Sequence, residues 1–232
     1  MATPRSKIES ILIPIHVPEE MELPIHFLAG RKLTRNQFLE FCHINDDLRI
    51  ERTSEGVIEI MPPAFWDTGD RNAELTTQVR VWASQEGSGV AVDSSAGYEL
   101  PNGATRSPDA SWVDRARLAA LRPEDKQSFL PLCPDFVVEL RSSSDRLKKL
   151  KEKMKEYIAN GAKLGWLIDP IERKVYVYRP DAEVEVLDDP ATVSGDPVLP
   201  GFTLDMMKIW EPDFCLALTA SQTRSLSNSH RL

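Results

Sequence analysis

The sequence has few of the residues that staple or anchor a chain. Its three cysteines, Cys42, Cys133 and Cys215, lie far apart and form no CxxC pair, which excludes a disulfide framework and a structural zinc site. The four histidines, His16, His26, His43 and His230, are scattered, and no two share a helix at metal-ligand spacing. Apolar runs of membrane-spanning length are missing, and prolines interrupt the N-terminus where a signal peptide needs an unbroken apolar core. A cytoplasmic location with no membrane partner is therefore expected. Gly87-Ser88-Gly89 precedes a strand instead of following one, so it lacks the context of a dinucleotide or phosphate loop. Asp93 to Gly97 has no GxSxG elbow, which leaves a serine hydrolase with little support. Net positive charge is lacking too: the balance is −8, which argues against a general nucleic-acid coat, because counterion release needs many Lys and Arg contacts to phosphate.

What the chain does have is enough apolar material for one large domain. At 232 residues, 41% apolar and 28% charged, it reads as a globular α/β protein without an internal linker. Charge is uneven. Between Arg141 and Lys155 seven basic residues stand against two acidic ones, a local +5 that leaves −13 elsewhere. Taken alone, such a run is a solvated helix face as readily as a binding surface.

Prolines 4, 14, 18 and 24 make the first thirty residues an extended arm. Thr34 and Gln37 have capping-box spacing at the start of a helix whose apolar face is Phe38, Phe41 and Cys42. A strand over Val57–Met61 stops at Pro62-Pro63, and a second helix runs through Ala73, Leu75, Val79, Trp82 and Ala83 to a stop at Gly87. Short strands follow at 90–93, 97–100 and 107–113. The run from Asp135 to Arg141 is the strongest strand, apolar enough to be covered on both faces. Leu147, Leu150, Met154, Tyr157 and Ile158 then recur at helical spacing up to Asn160-Gly161, and strands are expected at 164–169, 174–178 and 183–187. The five tryptophans are most simply core or rim aromatics. The last fourteen residues have no periodicity and read as a disordered tail.

Along Phe136–Arg141 the period of two sets Val137, Glu139 and Arg141 on one face. A carboxylate in so apolar a strand is costly unless it is paired or holds a metal; an ion pair of Glu139 with Arg141 or with a lysine is the plainer reading. Pro108 suits the start of a strand and sets Asp109 at the rim of a sheet. Pro-Asp also occurs at 134, 180 and 212, mostly as turns, but an Asp opening one strand and a Glu within a later one can converge on a hard cation. Such an ion activates water and stabilises charge on a phosphoryl oxygen, and a nearby lysine assists.

The blocks RSPDASWV, PLCPDFVVELRSSSD, EKMKEYIANGAKLGWLIDP and KVYVYRP, with the closing LPGF at Leu199–Phe202, resemble the bacterial Uma family of restriction endonucleases, loosely from Leu33 to Trp210. That resemblance implies the PD-(D/E)xK nuclease fold: a restriction endonuclease-like core with a central mixed sheet flanked by helices. It divides the chain into an N-terminal arm (1–32), the nuclease-like domain (33–218) and a tail (219–232). It also implies Mg²⁺, with Mn²⁺ as an alternative, between Asp109 and Glu139. The chain departs from the simple pattern at Arg141, where a lysine is usual; arginine differs in shape and cannot release its proton. The matching lysine is Lys153 on the following helix, with Lys151 as second choice and Glu74 as a further acidic residue of low weight. Arg146, Lys148 and Lys149 are expected to contact the DNA backbone, and a homodimer is expected by analogy. The rival expectation is a nuclease fold that no longer cleaves and acts as a binding or regulatory module; an enzyme acting on another phosphate-containing substrate stands as a third.

Overall fold

The computed structural model describes residues 25–28 and 33–212. Of the expected arm only strand β1 (Ile25–Leu28) falls within this range, and the expected tail lies outside the described residues. Helix α1 (Arg35–Ile44) opens on the Thr34–Gln37 capping box. A hairpin follows, β2 (Arg49–Arg52) and β3 (Val57–Met61), then the long α2 (Trp66–Glu86), β4 (Gly89–Asp93), β5 (Tyr98–Glu99), β6 (Thr105–Arg106) and β7 (Ala110–Asp114). After the short α3 (Arg115–Ala119) and a 3-10 turn come β8 (Phe136–Leu140), α4 (Leu147–Ala159), β9 (Leu164–Asp169), β10 (Lys174–Tyr178) and β11 (Glu185–Asp188). A two-stranded ribbon, β12 (Thr192–Ser194) and β13 (Thr203–Asp205), and a final turn of helix, α5 (Met207–Trp210), complete the described chain.

The strands form two principal sheets. The larger has the order β11-β10-β9-β8-β7-β4 and the smaller β1-β3-β2-β6-β5. In the larger sheet β8 and β9 are parallel, and α4 makes the crossover between them, as a parallel pair requires. The other named pairings are antiparallel. This is the mixed sheet with flanking helices that the sequence indicated.

Alternation along β8 assigns its two faces. Phe136, Val138 and Leu140 join Leu75, Val79 and Ala83 of α2 in one core, while Val137 joins Met154 and Tyr157 of α4 in the other. Glu139 shares the face of Val137 and so points toward α4. The strand expected over 107–113 is β7, which begins only at Ala110; β6, ending at Arg106, belongs to the smaller sheet, and Ser107-Pro108-Asp109 spans the gap between the two sheets. Pro108 has no N–H to give a ladder, which breaks the strand there. Helix α2 begins at Trp66, ahead of the apolar pattern that marks it, and ends at Gly87 in the left-handed conformation, φ 83°. No helix among the described residues is long and apolar enough to cross a membrane.

Candidate functional site

Asp109, Glu139 and Lys153 meet at one cleft of about 670 Å³. Ala110 pairs with Val138 in the antiparallel β7–β8 ladder, so continuing the register by one residue sets Asp109 across from Glu139. The Leu140 N–H donates to Asp109 Oδ2 at 2.8 Å, and Arg49 Nη2 lies 3.5 Å from Oδ1. Glu139 Oε1 accepts from the Tyr157 hydroxyl at 2.9 Å and lies 2.9 Å from Lys153 Nζ. Lys153 is thus the lysine at the site. Lys151 is directed elsewhere, with its ammonium 4.0 Å from the centre of the Tyr176 ring.

The Lys153 ammonium also donates to Glu51 Oε1 at 3.0 Å. Glu51 comes from β2 in the smaller sheet and also takes the Ser107 N–H at 3.0 Å. Arg106 lies behind it, its Nη1 3.2 Å from Glu51 and 2.6 Å from Glu59 and its Nε 2.7 Å from Glu156. The sequence reading missed both Glu51 and Arg106. A signal for the hairpin, though not for these contacts, was present: Leu48-Arg49-Ile50-Glu51 alternates, a Thr-Ser-Glu-Gly turn follows, and Val57–Met61 closes a hairpin that puts Arg49 and Glu51 on one face.

Electrostatics at the cleft run in two directions. Burial pushes the Asp109 carboxyl up, against the opposing pull of Arg49 and the Leu140 N–H. Burial also pushes Glu139 up, more than Lys153 pulls it down, with Asp109 and Glu51 adding their repulsion. Burial would raise Glu51 too, but Lys153, Arg106 and the Ser107 N–H outweigh it and hold that carboxyl low. Lys153 is disfavoured as a cation by burial, yet Glu139 and Glu51 more than compensate and keep it charged.

The other sequence candidates divide. Arg146 and Lys149 line the cleft. Lys148 does not: its side chain is 90% exposed, 4.0 Å from Glu152. Glu74 lies away from the centre, 3.8 Å from Lys208. Arg141 does not pair with Glu139; its Nη1 lies 2.7 Å from the buried Asp169 at the end of β9. The plainer ion-pair reading therefore holds for Glu139 with Lys153, inside a cleft.

Comparison with known proteins adds context to this geometry. The family model Uma2, described as "Putative restriction endonuclease", matches residues 35–207. Among solved structures the chain is similar to a "putative nuclease belonging to DUF820" from Anabaena variabilis ATCC 29413, with a TM-score of 0.60 and 22% sequence identity, covering 69% of this chain and 89% of that one. At that identity the likeness is one of fold. No curated protein matches the chain.

Proposed function

The chain belongs to the Uma2 family of restriction endonuclease-like proteins, and from that premise we propose that it is a Mg²⁺-dependent nuclease hydrolysing phosphodiester bonds in DNA. The observation that carries this reading is the meeting of Asp109, Glu139 and Lys153 in one cleft, from two adjacent strands and the helix packed on them.

The residues present suit the ion. Asp109 and Glu139 are hard oxygen donors on neighbouring positions of the β7–β8 ladder; Glu139 meets Tyr157 and Lys153 through Oε1, and the contact of Asp109 Oδ1 with Arg49 is a long one. Among the described residues no three of His, Cys, Asp and Glu form a ligand set of their own. Mg²⁺ does not require one, because it keeps several waters and takes other ligands from substrate phosphate. When bound, the ion would make a water more acidic and offset charge on the phosphoryl oxygens. The chain's own groups do the rest. Lys153 remains charged and offers its ammonium to the negative charge that grows on the phosphate. Glu51 and Tyr157 fix the positions of Lys153 and Glu139, and Arg49, Arg146 and Lys149 supply the cleft with partners for the backbone.

The test is plasmid nicking in Mg²⁺ by purified wild type and Asp109→Ala. Nicking by wild type alone is expected, and equal nicking by both removes Asp109 from the chemistry. A second reading, a nuclease fold that binds without cleaving, has one observation in its favour: each carboxylate already faces a cation of the chain, Arg49 at Asp109 and Lys153 at Glu139. Calorimetric titration with Mg²⁺ and Mn²⁺ separates the two, since no metal binding that depends on the pair leaves only the second.

A further inference from the structure

Phe65 and Trp66 are 62% and 79% exposed, consecutive, and set at the start of α2. The other tryptophans are buried or half-buried. The remaining exposed large apolar side chains among the described residues, Leu48, Val81, Ile171, Val186 and Met207, are aliphatic and separate in sequence. Two large rings left mostly in water forgo the gain of burial, and an exposed aromatic pair of which Phe65 lines the cleft and Trp66 follows it on the helix marks a contact surface. Pro62 and Pro63 precede them and restrict the backbone, while Leu75, Val79 and Ala83 bury α2 in the main core. The rings therefore stand on a rigid base.

Phe65 lines the same cleft as Asp109, Glu139 and Lys153, as do Thr68 and Asn72. The spacing i, i+3, i+7 puts these three on one face of the helix, a ring followed by a hydroxyl and an amide. The Asn72 Oδ1 is buried and has no hydrogen-bond partner. Across the cleft lie Arg146 and Lys149 at the start of α4, with Arg49 beside Asp109. A wall of aromatic and amide groups opposite a wall of cations complements one polymer chemistry, a strand with flat bases on one side and phosphates on the other.

We propose that Phe65 and Trp66 are a stacking platform for an unpaired base next to the phosphate held at the centre. The substrate is accordingly a single strand, or a duplex opened at the site, because the faces of paired bases are already covered by their neighbours. This rests on the nuclease reading and narrows its substrate class.

The test is fluorescence anisotropy in Mg²⁺-free buffer with three labelled ligands of equal length: a single strand, the same backbone without bases, and a blunt duplex. Wild type should bind the single strand more tightly than the abasic one. The double variant Phe65→Ala/Trp66→Ala should lose about 5- to 150-fold on the single strand, the equivalent of one stacked base, with abasic and duplex affinity unchanged; Trp66→Tyr should retain wild-type binding. Equal affinity of wild type for strands with and without bases overturns the proposal, as does an equal loss on the duplex. Iodide should quench the emission lost in Trp66→Phe; protection of that emission in the free protein means that another part of the chain or a second copy covers the ring, and also overturns it. Failure here alongside Asp109-dependent nicking leaves the nuclease standing, whereas base-dependent binding with no Asp109-dependent cleavage in Mg²⁺ of either the plasmid or the labelled single strand supports the platform and removes the nuclease.

Discussion

Lysines two residues apart on one helix have unrelated tasks in this protein. Lys153 bridges Glu51 and Glu139, and Lys151 covers Tyr176 on the neighbouring strand. Lys153→Met keeps the aliphatic stem and removes the charge, so plasmid nicking should fall by about 10²–10³-fold, the usual cost of one group that stabilises transition-state charge. Lys151→Met should stay within a few-fold; the reverse order in initial rates would exchange their roles. Asp109 and Glu139 were legible because each carries a local pattern, Pro-Asp at a strand start and Glu in an apolar strand, whereas Lys153 came from the family resemblance, since Lys151 flanks the same apolar helical stripe. Glu51 was not legible, because its position matters only through its partners: Ser107, Arg106 and Lys153 are 55 or more residues away along the chain, and single-strand patterning says nothing of them. Lys148, in the same segment as Arg146 and Lys149, is exposed and does not line the cleft.

Elements were easiest to read where periodicity and stop signals agreed, as in β8, α4, β9 and β10. The start of α2 was missed because Trp66 and the residues after it put few apolar groups inward, Thr68 being the first buried one. Strand β6 was missed because two residues are too few to show a period, and the strand expected from Ser107 begins three residues later because Pro108 was taken into it as its opener. Arg141 belongs to this scale: it joins the end of β8 to the end of β9 through Asp169, whose side chain is fully buried. Arg141→Ala should therefore cost roughly 2–3 kcal/mol of stability in urea unfolding, the penalty for leaving a buried charge short of a partner. A loss of a few tenths would mean that the Ile171 and Glu172 N–H groups, which also donate to Asp169, satisfy it unaided. Arg141→Lys should not supply a second active ammonium, since the position faces Asp169 and not Glu139.

Across the whole molecule, the pH response of stability has an anchor at Asp135, before β8. Burial alone would raise this carboxyl, but the Asp114 N–H, Lys163 and Arg117 outweigh it and hold it low; the hydrogen bond is 3.0 Å and both ion pairs are 2.9 Å. A folded-state value below the unfolded one makes the stabilisation complete above the unfolded pKa, about 3.9, and lost as pH falls through the lower folded value. The difference in unfolding free energy between wild type and Asp135→Asn should accordingly be constant near neutrality and shrink below about pH 4. Urea unfolding at several pH values checks it, and a difference that does not change with pH removes Asp135 as the cause. The net charge of −8 also has a spatial meaning at this scale, since the cations that line the cleft, Arg49, Arg106, Arg146, Lys149 and Lys153, are gathered there from β2, β6 and α4. One ammonium gripped by Glu51 from the smaller sheet and by Glu139 from the larger makes the centre a seam. Parting the two layers would take Glu51 and Arg49 away from Asp109, Glu139 and Lys153, which stay together with the larger sheet, so the docking of the smaller sheet sets the charge around the three residues without contributing any of them.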